Sequence, residues 1–115
     1  MQALNILENP RFENEKYGKV QVVKSPQLAV DGLFLKPGQS LGPTRLPQRD
    51  RAVVCVAGRG ELVLHTDTVD QRIELTPGMV AMAPQGTWHA LVAGADSELV
   101  VTVASQFPVR VEERG

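Results

Sequence analysis

A chain of 115 residues and 12.5 kDa has the size of one domain, and its 43% hydrophobic and 22% charged residues suit a folded globular protein rather than a disordered one. A net charge of −1 argues against nucleic acid as a partner, because phosphate binding needs a surplus of Lys and Arg on one face. The longest uninterrupted apolar run, Ala52 to Ala57, is far short of the roughly 20 residues of a membrane span. No basic stretch followed by an apolar core opens the chain, so no secretory leader and no membrane partner are expected. One cysteine, Cys55, rules out an internal disulfide and a multi-cysteine metal site. It points to a reducing, cytoplasmic setting.

Residues 1–19 are polar and of mixed charge, with no clear period, and read as an arm holding at most a short helical turn. From Val20 the pattern changes to short apolar segments punctuated by Gly and Pro, the mark of strands joined by tight turns. Val20, Val22 and Val23 open the first strand. Leu28 to Lys36 forms the next, with Leu33 and Leu35 alternating with Phe34 and Lys36, and Pro37-Gly38 stops it as the centre of a type II turn. Leu41 to Asp50, rich in Pro and Arg, reads as a loop or irregular strand. Ala52 to Ala57 is a buried strand, turned by Gly58-Arg59-Gly60 into Glu61 to Thr66. Asp67 to Asp70 reads as a hairpin loop, and Gln71 to Leu75 ends at Pro77-Gly78. Met79 to Ala83, Trp88 to Ala93 and Glu98 to Ala104 complete the series, and 107–115 is left as a tail. About eight short strands and no helical period over 20–106 leave a sandwich, barrel or jelly roll. The echo of Leu35-Lys36-Pro37-Gly38 in Leu75-Thr76-Pro77-Gly78 favours the jelly roll, which has two similar halves.

Gly78, Pro84, Gly86 and His89 keep the spacing of the second cupin motif, G-x5-P-x-G-x2-H-x3-N, with Ala93 in place of the Asn. Gly38, Thr44, Leu46, Arg51 and Gly58 keep the spacing of the first, G-x5-H-x-H-x3,4-E-x6-G. The chain therefore resembles the cupin superfamily over about residues 28–104. The resemblance implies an all-β, single-domain jelly-roll barrel (a double-stranded β-helix) over 20–106. Gly38, Gly58 and Gly78 would sit at strand handovers that need positive φ.

In metal-binding cupins two His and one Glu of the first motif and the His of the second surround iron, manganese, nickel or zinc. The matching positions here are Thr44, Leu46, Arg51 and His89. Leu offers no donor atom, a Thr hydroxyl is a poor ligand and Arg carries a permanent positive charge, so no metal and no other cofactor is expected. Arg51 starts a strand on which Val53 and Cys55 share its side, and the resemblance turns that side inward. Thr44, Leu46, Arg51, Val53, Cys55 and His89 thus form the expected lining of a ligand pocket. Alternatives remain for Arg51, which could reach solvent or pair with Asp50 or Glu61. No acid on the inner face is evident. His65, Met79 and Met82 read as surface and packing residues, and Trp88 as an outward side chain in a subunit contact.

Neither a nucleophile–base pair nor a phosphate-cradling loop is present. The expected function is metal-free binding of a small molecule, with an anionic one as the sharper form of the reading, inside the barrel of a homodimer. A cupin-type isomerase, lyase or oxygenase, and a dimeric scaffold with a vestigial pocket, stand as the other readings.

Overall fold

The computed structural model describes residues 3–106 and 111–114. The arm holds one 3-10 turn, Ile6–Glu8, capped by the Asn5 side chain, which accepts from the Leu7 N–H at 3.0 Å. Nine strands follow: β1 Gly18–Lys24, β2 Leu28–Leu35, β3 Ser40–Arg45, β4 Arg51–Gly58, β5 Gly60–His65, β6 Asp70–Leu75, β7 Val80–Ala83, β8 Trp88–Ala93 and β9 Leu99–Gln106. A short β10, Glu112–Glu113, lies in the tail, whose residues 107–110 and 115 are outside the described residues.

The strands form two five-stranded antiparallel sheets, β1-β2-β9-β4-β7 and β10-β3-β8-β5-β6. This is the all-β jelly roll expected from the sequence. Each sheet takes strands from both halves of the chain. The two echoed Pro-Gly pairs play the same part in each half. After β2 the Gln39 N–H donates to the Lys36 carbonyl at 3.0 Å, and after β6 the Met79 N–H donates to the Thr76 carbonyl at 2.9 Å. Gly38 and Gly78 take φ of 79° and 97° there, the left-handed region open to glycine. At Gly58 (φ 77°) a Cβ would also fall 1.8 Å from the Glu98 carbonyl oxygen, so this bend tolerates no side chain.

The inner faces close a core of Leu33, Leu35, Val53, Cys55, Leu62, Leu75, Leu91, Leu99 and Val101, all at most 2% exposed. A second cluster lies outside the first sheet, where Ile6 and Phe12 of the arm pack on Phe34, Val100, Val20 and Val22. The Phe12 and Phe34 rings meet edge to face at 5.4 Å, a favoured aromatic geometry. Val20 and Val22 of β1 are thus covered by the chain's own arm. Among the described residues no helix is long and apolar enough to cross a membrane.

Several expectations need correction. The stretch from Leu41 to Asp50 divides: a true strand runs to Arg45, with its register shifted between Leu41 and Thr44, and a loop follows. The first strand starts at Gly18 rather than Val20, and part of the tail joins a sheet. Met79 and Met82 are not packed inside; they are 39% and 49% exposed. Trp88 does face outward, with the Arg45 and Arg114 guanidinium groups 4.8 Å and 4.5 Å from its ring centroid.

Candidate functional site

Pairing places Thr44 on β3 beside His89 on β8, and His89 beside Leu64 on β5. Cross-strand partners share a face, so these three side chains point into the space between the sheets, where His89 is 2% and Thr44 5% exposed. Arg51 opens β4 in the opposite sheet and reaches across. Its Nη1 lies 3.2 Å from His89 Nε2, and His89 Nδ1 lies 2.9 Å from the Thr87 carbonyl oxygen.

These two contacts fix the tautomer. A carbonyl can only accept and a guanidinium can only donate, so Nδ1 carries the hydrogen and the Nε2 lone pair accepts from Arg51. Burial pushes the His89 pKa down; the Thr87 carbonyl opposes this, and the Arg51 and His65 charges reinforce it. Burial also lowers Arg51 from its ordinary value, against the pull of Asp31 and Tyr17. The pair is therefore a neutral imidazole holding a charged guanidinium.

A cavity of about 280 Å³ opens at Arg51, walled by Lys19 and Gln21 of β1, Ala29 and Asp31 of β2, Val103 and Ser105 of β9, and by Lys24 and Val111. A second lobe of about 190 Å³ shares Lys19, Asp31, Arg51, Val103 and Val111 and adds Tyr17, Leu33, Leu41, Thr44 and Glu113. Of the expected lining, Arg51 and Thr44 stand on these walls, with His89 behind Arg51. Val53 and Cys55 lie deeper in the closed core, and Leu46 is buried in the β3–β4 loop, 2% exposed, its carbonyl held by the Gly86 N–H at 2.8 Å. Burial raises the Cys55 thiol pKa, which keeps it an unreactive thiol.

The inner face does hold an acid, Asp31. It pairs across the sheet with Val103, which pairs with Val53 two residues along from Arg51. The alternation that sets Leu33 and Leu35 inward, carried back one step, places Asp31 on that face. Lys19 and Tyr17 were hidden by starting the barrel at Val20, and no sequence signal marks the two-residue β10. The partners once open to Arg51 are taken: Asp50 accepts from the Gln85 N–H at 2.9 Å, and Glu61 pairs with Arg72 at 3.1 Å. His65 lies at the other sheet's surface, its Nδ1 2.9 Å from Asp70 Oδ1.

The fold is shared with known proteins. An RmlC-like cupin protein from Desulfovibrio desulfuricans superimposes with a TM-score of 0.73 at 29% identity, over 90% of this chain and 96% of that one. The chain is a member of the cupin superfamily. An uncharacterized conserved protein with a double-stranded β-helix domain from Klebsiella pneumoniae matches this cupin with a TM-score of 0.84 at 17% identity, over 100% and 98% of the two chains. The polyketide cyclase RemF from Streptomyces resistomycificus matches with a TM-score of 0.74 at 16% identity, over 88% and 72%. These two likenesses speak for the fold alone. No family model and no curated protein matches the cupin.

A divalent metal, common in cupins, does not fit the residues present. The one imidazole among the four ligand positions has its Nε2 lone pair bound to a guanidinium, and that fixed charge would repel the ion. Catalytic zinc typically has about three protein ligands. Among the described residues no group of three His, Cys, Asp or Glu side chains is arranged to hold a metal ion.

Proposed function

We propose that this cupin binds a compact organic carboxylate between its two sheets, without a metal. The observation that carries this reading is the setting of Arg51. Its guanidinium lines the cavity and is held by a neutral imidazole. Among the described residues no carboxylate oxygen lies within 4.0 Å of it. A desolvated cation without an anion is costly, and a carboxylate in a forked pair would neutralise it. The wall of the larger lobe, with Lys19 and Arg51 against Asp31, is net positive. Leu33, Leu41 and Val103 offer apolar surface to the rest of the molecule, and Thr44 a hydroxyl. His89 orients the pocket's arginine. Both His89 nitrogens are engaged, which favours binding over acid–base catalysis at this residue.

Titration calorimetry with sodium 4-methylpentanoate tests the reading. Wild-type protein should saturate at one molecule per chain. Arg51→Lys should weaken binding, and Arg51→Ala should weaken it about thirtyfold or more, the loss on truncating one partner of a buried charge pair. Unchanged affinity in Arg51→Ala overturns the reading.

We also propose a cytoplasmic homodimer. The unpaired, buried Cys55 supports a reducing compartment. The dimer is supported by the outer face at the β7 edge, where Val80 and Met82 are 68% and 49% exposed beside Met79.

A further inference from the structure

The cavity contains an unused acceptor as well as a cation. The Asp31 side chain is only 20% exposed, and its nearest cation, Lys19 Nζ, is 3.7 Å away, beyond hydrogen-bond reach. Among the described residues no N–H or O–H donates to the Asp31 carboxylate. Asp31 and Arg51 stand on the same inner face, two strands apart across β9, roughly 10 Å between backbones. Both line both lobes. A group lying between them would accept from the guanidinium at one end and donate to the carboxylate at the other.

We infer that the ligand is a 2-hydroxy acid, its carboxylate forked on Arg51 and its hydroxyl donating to Asp31; this rests on the carboxylate reading above. Charge decides between a hydroxyl and an ammonium as the donor. Lys19 already balances Asp31 electrostatically, and the Arg51 guanidinium then leaves the larger lobe net positive. An ammonium would face these cations, whereas a hydroxyl brings a donor without a charge. The larger lobe, a cavity of about 280 Å³ with Val103 and Val111 on its wall, suits a short acid with a branched apolar tail better than a larger molecule.

Three acids with one carbon skeleton test this by calorimetry: 2-hydroxy-4-methylpentanoate, 4-methylpentanoate and leucine. Wild-type protein should bind the hydroxy acid about tenfold or more tightly than 4-methylpentanoate, the worth of a hydrogen bond to a charged group, and leucine most weakly. Asp31→Ala removes the acceptor together with a negative charge. It should abolish the hydroxyl preference while leaving 4-methylpentanoate bound as tightly as before or more so. Asp31→Asn, which keeps shape and a neutral acceptor, should show a reduced preference. Equal affinity for the hydroxy acid and 4-methylpentanoate in wild type overturns this inference alone, as does tightest binding of leucine. An Asp31→Ala variant that loses both acids alike also overturns it, since Asp31 would then only shape the wall. Failure of every acid to bind overturns the carboxylate reading as well.

Discussion

Acidification should destabilise this cupin through His89. At neutral pH the ring is neutral, Nδ1 donating to Thr87 and Nε2 accepting from Arg51. Protonating Nε2 in the folded state turns the acceptor into a donor aimed at a guanidinium, in a site only 2% exposed. The unfolded chain has no such obstacle and takes up the proton near the ordinary value of 6.5. Because the folded pKa is depressed, the stabilisation is complete above about pH 6.5. It is lost as the pH falls through that value toward the folded pKa. One group contributes at most about 1.36 kcal/mol per pH unit. Between about pH 7 and pH 5.5 the loss therefore approaches about 1.3 kcal/mol if the folded state stays neutral throughout. Urea unfolding at the two pH values, for wild type and for His89→Gln, isolates this part. Gln keeps a donor and an acceptor but does not titrate, and the carboxylates common to both proteins cancel. Wild type should lose about 1 kcal/mol more than His89→Gln over the interval. Equal losses would refute the assignment of a neutral, Arg51-bound imidazole.

Arg51→Met removes a buried charge while keeping an unbranched side chain. Leaving the His89 acceptor unpaired costs about 1–3 kcal/mol, which relief of the desolvated cation offsets. The thermal midpoint should stay level or rise by a few degrees, and a loss of more than about 2 kcal/mol in urea unfolding would refute the view that Arg51 is a desolvated cation without an anion. Val80→Lys, on the exposed face of the edge strand β7, should convert a dimer into monomers in sedimentation equilibrium; a dimer that survives the charge would move the interface elsewhere. Protein purified without a tag should contain no stoichiometric iron, manganese, nickel or zinc by elemental analysis, and a chelator should leave its unfolding midpoint unmoved. About one ion per chain would refute the lone-imidazole argument.

The barrel was legible because its signals are local. Pro-Gly turns, the apolar run from Ala52 to Ala57 and the spacing of Gly78, Pro84, Gly86 and His89 each constrain a few adjacent residues. The site was legible only in part. The motif spacing puts Arg51 and His89 in one pocket and the resemblance turns Arg51 inward, but their direct contact at 3.2 Å depends on how closely the two sheets approach, which the order of residues does not give. Asp31 could have been read from the phase of Leu33 and Leu35, yet a charged residue in an apolar strand passes easily for an outward one. Met82 shows the reverse error, since an apolar side chain on an edge strand has no neighbour strand to cover it. β10 gives no signal at all, because two residues carry no period; it is held by the Arg45–Glu112 ion pair at 2.8 Å and two register pairs.

The interleaving of the two halves bears on how quickly the chain reaches this state. β2 pairs with β9 from Leu35↔Leu99 to Leu28↔Gln106, and β3 pairs with β8 at Ser40↔Val92. No sheet can be finished until chain ends far apart in sequence have met, and closing such loops costs entropy before any pairing repays it. Folding is therefore set by topology, on the millisecond-to-second scale of barrels rich in non-local pairs. During that wait β9 is the exposed danger, because Leu99, Val100, Val101 and Val103 are all buried at the end and have nothing to cover them at the start. Newly made chains should be most prone to aggregate through this strand, and crowded or rapid expression should punish substitutions that slow its docking more than those that merely lower final stability.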